Sequence, residues 1–240
     1  MRIIKGLFKW IIQILILCIV LFCVYIGYLW FFPPDFSSLA KENPKFTALM
    51  KLRIEQARKK GRNAHPQCIF VPIGAISQNL IDAVLISEDF NFFYHKGYDI
   101  YEIKESIKKN IEKRRFVRGG STITQQLVKN LYLSPSKNPF RKLAELVWAI
   151  KLERVLSKRR ILELYLNYIE LGDMIFGVES ASRKYFNHSA AELTFEESVQ
   201  LAAVIPRPLK WYPGCQSKGY LRRVTIIREK LVKYKPAKYY

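Results

Sequence analysis

The sequence predicts an all-α protein: one helical domain of ordinary size behind a single N-terminal helix long enough to cross a membrane. Three observations carry this. Trp10 to Phe32 is a run of 23 residues without a formal charge, about 35 Å long as a helix and so enough for the hydrocarbon core of a bilayer. Beyond it, apolar residues recur mainly at three- and four-residue intervals, the period of a buried helix face. Convincing alternation of the kind that marks strands is scarce. The length of 240 residues leaves room for one domain beside the anchor, and not for two full catalytic domains.

Taken in order, Arg2, Lys5 and Lys9 precede the apolar run, which places residues 1–9 in the cytoplasm by the positive-inside rule and the rest of the chain outside it. Trp10, Tyr28, Trp30, Phe31 and Phe32 sit near the two ends of the run, as interfacial aromatics do. A cleaved signal peptide needs a shorter apolar core and a small-residue cleavage site. This run is long and ends in Trp-Phe-Phe-Pro-Pro, so residues 10–32 read as an uncleaved signal-anchor, which Pro33-Pro34 terminates. Residues 33–66 form a polar juxtamembrane connection with a helix near Phe46–Lys60. Its basic run Lys59, Lys60, Arg62 is either a lipid contact or a solvated helix end.

Residues 67–240 are the folded domain. Phe70–Ile76 is apolar and broken by Pro72 and Gly74. A helix begins near Ser77 and runs through Ile81, Val84 and Leu85 to Glu88. Ile100–Arg115 follows, with Ile100, Ile103, Ile107 and Ile111 on one face and charged residues opposite. Four cations around Phe116-Val117 suggest a mobile loop at Lys113–Arg118. Further helices are read at Thr122–Leu131, Pro139–Leu156, Ser157–Asn167, Glu179–Phe186, Thr194–Val204 and Gly219–Tyr234. A turn is read at Gly172–Gly177 and a loop around Pro206 to Gly214. The final residues read as a frayed tail.

Forty Lys and Arg against 20 Asp and Glu give a net charge of +20. Three of the cations lie in residues 1–32, so the remainder carries +17. Such an excess calls for an anionic partner. Outside the cytoplasm, and without any nucleic-acid-binding signature, that partner is a membrane surface or a phosphorylated lipid rather than RNA or DNA. Cys18 and Cys23 lie within the span. Cys68 and Cys215 lie beyond it and are free to pair in an oxidising compartment, but two cysteines make no framework, and no metal-ligand spacing is present.

Two stretches carry chemistry. Ser87–Asp99 places Glu88 and Asp89 at the end of an apolar segment and against Phe92, Phe93 and Tyr94, with His95 and Gly97 following. Apolar surroundings raise a carboxyl pKa, which makes a carboxylate a useful proton acceptor near neutral pH. The plainer reading is an acidic helix end beside a core aromatic cluster. Gly119–Gln126, Gly-Gly-Ser-Thr-Ile-Thr-Gln-Gln, is either an anion-binding helix start or an ordinary capped helix.

Together the two stretches resemble the first two motifs of the family-51 glycosyltransferases, the peptidoglycan transglycosylases. Glu-Asp-x-x-Phe-x-x-His-x-Gly falls on Glu88, Asp89, Phe92, His95 and Gly97, and the Gly-Gly-Ser-Thr-Ile-Thr-Gln-Gln block matches without a gap. Arg141-Lys142-x-x-Glu145 resembles the third motif, although alone it reads as an intrahelical ion pair. Lys158-x-x-Ile-Leu-Glu163-x-Tyr-Leu-Asn167 resembles the fourth at every fixed position; the fifth is matched only in part. The resemblance covers about residues 70 to 215.

The resemblance implies a lysozyme-like catalytic domain at 67–240 that polymerises lipid II by inverting glycosyl transfer and releases undecaprenyl pyrophosphate. It implies Glu88 as general base and Glu145 as a second essential carboxylate on the donor side. Ser121, Thr122, Gln125, Gln126, Lys129, Arg141 and Lys142 become the expected contacts of sugar and pyrophosphate. Asp89, Phe92, His95, Gly97, Lys158, Glu163 and Asn167 become supporting residues, with Glu163 in a buried polar network. No motif demands a cofactor, though a divalent cation, Mg²⁺ or Mn²⁺, could bridge the pyrophosphate. The expected partners are lipid II, the growing lipid-linked glycan, the bilayer and division or elongation proteins, at the inner membrane of a Gram-negative cell with the domain in the periplasm. Ser106-x-x-Lys109 and Ser134-x-x-Lys137 match the first transpeptidase motif, but no Lys-Thr-Gly accompanies them, and a monofunctional enzyme is expected. The rivals are a peptidoglycan-cleaving enzyme of the same fold and a catalytically silent membrane scaffold.

Overall fold

Side-chain caps fix where most of the helices begin. The computed structural model describes residues 2–113, 119–133 and 138–234, with side chains outside 2–8 and Asn110. Helix α1 is Arg2–Phe31. Then come α2 (Ala48–Lys59), α3 (Gln78–Glu88), α4 (Ile100–Glu112), α5 (Ile123–Tyr132), α6 (Pro139–Val155), α7 (Lys158–Tyr168), α8 (Val178–Phe186), α9 (Phe195–Val204) and α10 (Lys218–Lys233). Thr47, Asp99, Thr122, Asn138, Ser157, Thr194 and Ser217 each accept a hydrogen bond from a backbone N–H in the first turn that follows. Such a bond satisfies one of the four donors that a helix start leaves open. Helix boundaries fall within two residues of the sequence expectation, except at the start of α1, which begins eight residues before the expected span, and at the end of α4, where Arg114 to Arg118 lie outside the described residues. So do Ser134 to Lys137 and the tail from 235.

Lys9–Phe31 contains an 18-residue window of mean hydropathy 2.7, and its side chains from Lys9 to Val24 are exposed. Apolar side chains that face nothing in the protein suit lipid. The helix is thus compatible with a single-pass anchor. Only its last turns touch the domain, against α6.

In the domain, α5 lies between α6 and α7 and also meets α2, while α3 packs on α9 and α10. Their apolar faces share one core, from Phe36 through Phe92, Leu127 and Tyr165 to Ile227. The mostly helical domain behind one apolar helix agrees with the expected lysozyme-like architecture. The sequence reading missed a small sheet. Strands β1 (Gln67–Cys68), β2 (Glu170–Gly172) and β3 (Ile175–Phe176) lie in the order β1-β3-β2, with β1 parallel and β2 antiparallel to β3. The turn expected at Gly172–Gly177 is therefore a hairpin. Strands of two or three residues have no period to detect, and tertiary packing alone holds them. Gly177 closes the hairpin at φ +80°, where a Cβ would meet the Asn167 carbonyl oxygen at 2.5 Å. Cys68 and Cys215 are both free thiols.

Candidate active site

Glu88 is the last residue of α3, and its side chain is 11% exposed. Its partners come from two distant helices. Gln126 Nε2 on α5 donates to Oε2 at 2.9 Å, and Arg223 Nη2 on α10 pairs with Oε1. Gln126 is itself oriented by the Tyr165 hydroxyl, which donates to its Oε1 at 3.0 Å. Burial pushes the Glu88 carboxyl above its ordinary range, while Arg223, Gln126 and Lys129 pull it back and Asp89 adds to the rise. The raised value matches the expectation, but the named groups around the carboxylate are polar. Phe92 packs edge-on against Phe93 at 5.1 Å and against His95 at 6.1 Å, and Tyr94 is exposed.

Asp89 turns the chain toward α5. Its Oδ2 accepts from the Ile123 N–H at 2.9 Å, so an anion sits at the N-terminus of α5, where the helix dipole favours one. His95 Nε2 donates to the same carboxylate at 2.9 Å, and its Nδ1 accepts from the Gly97 N–H at 3.3 Å. These bonds assign the ring as the Nε2–H tautomer. Gly97 has φ +92°, and a Cβ there would lie 2.9 Å from the Ala149 backbone carbonyl of α6.

Glu145 is 2% exposed on α6, and its partners lie on its own helix. Arg141 Nη1 reaches Oε2 at 2.7 Å, and Lys142 Nζ pairs with Oε1. Lys142 also donates to Ser121 Oγ at 2.8 Å, which ties the loop before α5 to this cluster. Lys129, half-buried on α5, is the link between the two carboxylates. Burial lowers its ammonium pKa, Glu145 and Glu88 both raise it, and Lys142 and Arg141 lower it further. One face of α5 thus carries Gln126 toward Glu88 and Lys129 within the field of both acids.

Thr122 and Gln125 are both 2% exposed and form a reciprocal capping box, and Thr122 Oγ1 donates to the Gly97 carbonyl at 2.9 Å. In this structure their polar groups set the direction of α5. Lys158 donates to Glu153 at 2.7 Å and lies 4.4 Å over the Phe92 ring. Glu163 accepts from the Ile73 N–H at 2.9 Å and from Arg160 at 2.5 Å. Asn167 clamps Val71 through both its N–H and its carbonyl, at 2.9 Å each. These three hold the segment before α3 and the Phe92 side of the core.

Arg223 escaped the sequence reading. It lies in a helix legible only as basic, one of six cations from Lys218 to Lys233, and no spacing singles out one of them. Ser106 Oγ is buried without a hydrogen-bond partner, and Lys109 pairs with Glu105 at 3.7 Å, so the two do not meet; Ser134 and Lys137 lie outside the described residues. Among the described residues no three His, Cys, Asp or Glu side chains converge as a metal-holding set. The four carboxylate oxygens of Glu88 and Glu145 are already engaged by Gln126 and the basic side chains. The residues present do not fit a resident metal held by protein ligands.

Residues 55–232 match the family model described as Transglycosylase. The chain is 44% identical over 187 residues to a biosynthetic peptidoglycan transglycosylase of Thiobacillus denitrificans, covering 78% of this chain and 80% of that one. It is 42% identical to one of Nitrosospira multiformis, over 76% and 79% of the two chains. It is 38% identical over 223 residues to one of Laribacter hongkongensis, over 93% and 96%.

Proposed function

The chain belongs to the transglycosylase family and is a peptidoglycan glycosyltransferase, and on that premise we propose that it polymerises lipid II into glycan strands with release of undecaprenyl pyrophosphate. In this reading the growing chain is the donor, with the lipid pyrophosphate on its anomeric carbon. The 4-hydroxyl of an incoming lipid II is the acceptor. Glu88 takes the hydroxyl proton as the oxygen attacks the anomeric carbon. The bond from that carbon to the pyrophosphate oxygen breaks, its electron pair leaves with the phosphate, and the α-linkage becomes β.

The observation that carries this reading is the arrangement around α5: a mostly buried carboxylate with a raised pKa held by Gln126, the Arg141 and Lys142 cations tied to Ser121 just before the helix, and Lys129 in the field of both acids. A base with a raised pKa suits proton removal near neutral pH. A leaving pyrophosphate needs positive charge more than it needs a proton. Glu145 orients Arg141 and Lys142, and Ser121 and Lys142 offer hydrogen bonds to the donor side. A divalent cation, where one takes part, arrives on the pyrophosphate, and the chemistry above is assigned to protein groups alone. The same arrangement disfavours a cleaving enzyme, which has no pyrophosphate to hold.

We place residues 10–32 in the inner membrane, with residues 1–9 in the cytoplasm and the domain in the periplasm, as Arg2, Lys5 and Lys9 before the span favour. The bilayer then supplies both lipid-linked substrates, and division or elongation proteins are the partners such an enzyme meets there. No transpeptidase reaction is assigned to it. The test is labelled lipid II with the solubilised full chain, and Glu88→Gln beside it. Polymer from the wild type, with a loss on the order of a thousandfold in Glu88→Gln, supports the reading. Degradation of preformed glycan without polymer would replace it with the cleaving enzyme.

A further inference from the structure

The joint between α1 and α6 is built like a piece of the domain. A helix leaves its last four carbonyls without intrahelical partners, and in α1 two of these are taken by α6. Trp148 Nε1 donates to the Leu29 carbonyl at 3.1 Å, and Lys151 Nζ donates to the Trp30 carbonyl. The Trp30 ring lies under Lys151 at 5.0 Å and under the Arg154 guanidinium at 4.6 Å, and cations also suit the negative end of the helix dipole. Leu29 is 2% exposed and forms a small apolar core with Ala144 and Val147. One turn deeper in the span, the Tyr25 hydroxyl donates to the Phe140 carbonyl at 3.3 Å, and the two rings meet at right angles, 5.5 Å apart.

These contacts run from Tyr25 to Trp30, about 8 Å along the helix axis, at the outer end of the apolar run. On α6 they use positions interleaved with Arg141, Lys142 and Glu145. The face that meets the anchor and the face that carries the cations thus belong to one rigid helix. We infer that α1 is a docked part of the site rather than a tether, and that its last two turns hold Arg141, Lys142 and Glu145 at the level of the lipid phosphates. This rests on the proposed reading that the donor is a lipid-linked pyrophosphate.

The test uses the full chain reconstituted in vesicles. One chimera replaces residues 10–24 with leucines, a second replaces Tyr25–Phe31 with leucines, and the double variant Trp148→Phe/Lys151→Ala removes both carbonyl bonds. Each is assayed with undecaprenyl lipid II in the vesicles and with a short-chain, water-soluble lipid II. The 10–24 chimera is expected to match the wild type in both assays. The 25–31 chimera and the double variant are expected to lose tenfold or more in kcat/KM in vesicles, because misplacing reacting groups by about 1 Å is already costly, and to keep the short-chain activity. Wild-type activity of all three in vesicles overturns the inference. Equal loss in both assays overturns it too, because the joint then supports the fold and not the depth. Hydrogen exchange along Ala144–Arg154 reads the joint without substrate: faster exchange there in the double variant supports docking, and unchanged exchange overturns it. Absence of wild-type polymer with both substrates would sink the lipid II reading while leaving this exchange test to decide the joint.

Discussion

Glu88 and Glu145 are both buried acids paired with basic side chains, yet they are assembled in opposite ways. Glu145 is held by residues three and four positions before it, Lys142 and Arg141, so one turn of helix suffices. Glu88 is held by Gln126 and Arg223, 38 and 135 residues away, so three helices must pack before it has its partners. The electrostatic result differs accordingly. Glu88 is shifted upward by burial against partial compensation from its partners. Glu145 has each oxygen on a cation supplied by its own helix. A local pair closes each carboxylate oxygen on a cation, whereas Glu88, with one cation and one neutral amide as partners, keeps an upward shift of the kind that suits a base.

Perturbations at five positions break or sharpen that contrast. The largest effect is expected from Gly97→Ala, which joins the two regions. It places a side chain at φ +92° against the Ala149 backbone, for a combined strain and overpacking cost of about 3 kcal/mol. Denaturant unfolding measures it, and a loss below about 1 kcal/mol would show that the Glu88 loop and α6 move apart freely.

Next is Glu145→Gln. It leaves Arg141, 18% exposed, beside a neutral amide, and should cost about 2 kcal/mol of stability, discounted for the half-exposed Lys142. Polymerisation should fall on the order of a hundredfold. Glu88→Gln should lose less stability than this, because it removes one ion pair where Glu145→Gln removes two. The reverse order in thermal unfolding would undo the contrast.

Arg223→Ala moves a pH profile. Arg223 pulls the Glu88 pKa down, so its loss leaves burial less opposed and the pKa rises. The base must be ionised, and the acid limb of kcat/KM should therefore shift to higher pH by about one unit, with Arg223→Lys shifting it less. An unmoved limb would separate Arg223 from the base. Gln126→Leu should shift the limb in the same direction by a smaller amount, since it removes a neutral donor. A larger shift than in Arg223→Ala would make the amide the main support of the ionised form.

What could be read in advance follows the same division. Thr122, Ser157 and Thr194 stand at helix starts that were read from the sequence, and each cap and its N–H lie within three residues. Arg141, Lys142 and Glu145 could be placed on one turn for that reason. Thr122 and Gln125 show the limit. Their motif pointed to the site, but only the fold revealed that their polar groups close a capping box. Arg223 gave no signal among its basic neighbours, and the three short strands had no period to read.

By itself, then, the sequence determined the apolar span, the positions of the helices, the family motifs and the placing of Arg141, Lys142 and Glu145 on one turn, because backbone geometry alone brings residues three and four apart together. Tertiary structure decided which cation meets Glu88, how Lys129 comes to feel two acids, and how the end of α1 seats on α6. Those contacts join residues tens to more than a hundred positions apart, and the burial that shifts their pKa values exists only once the helices have packed.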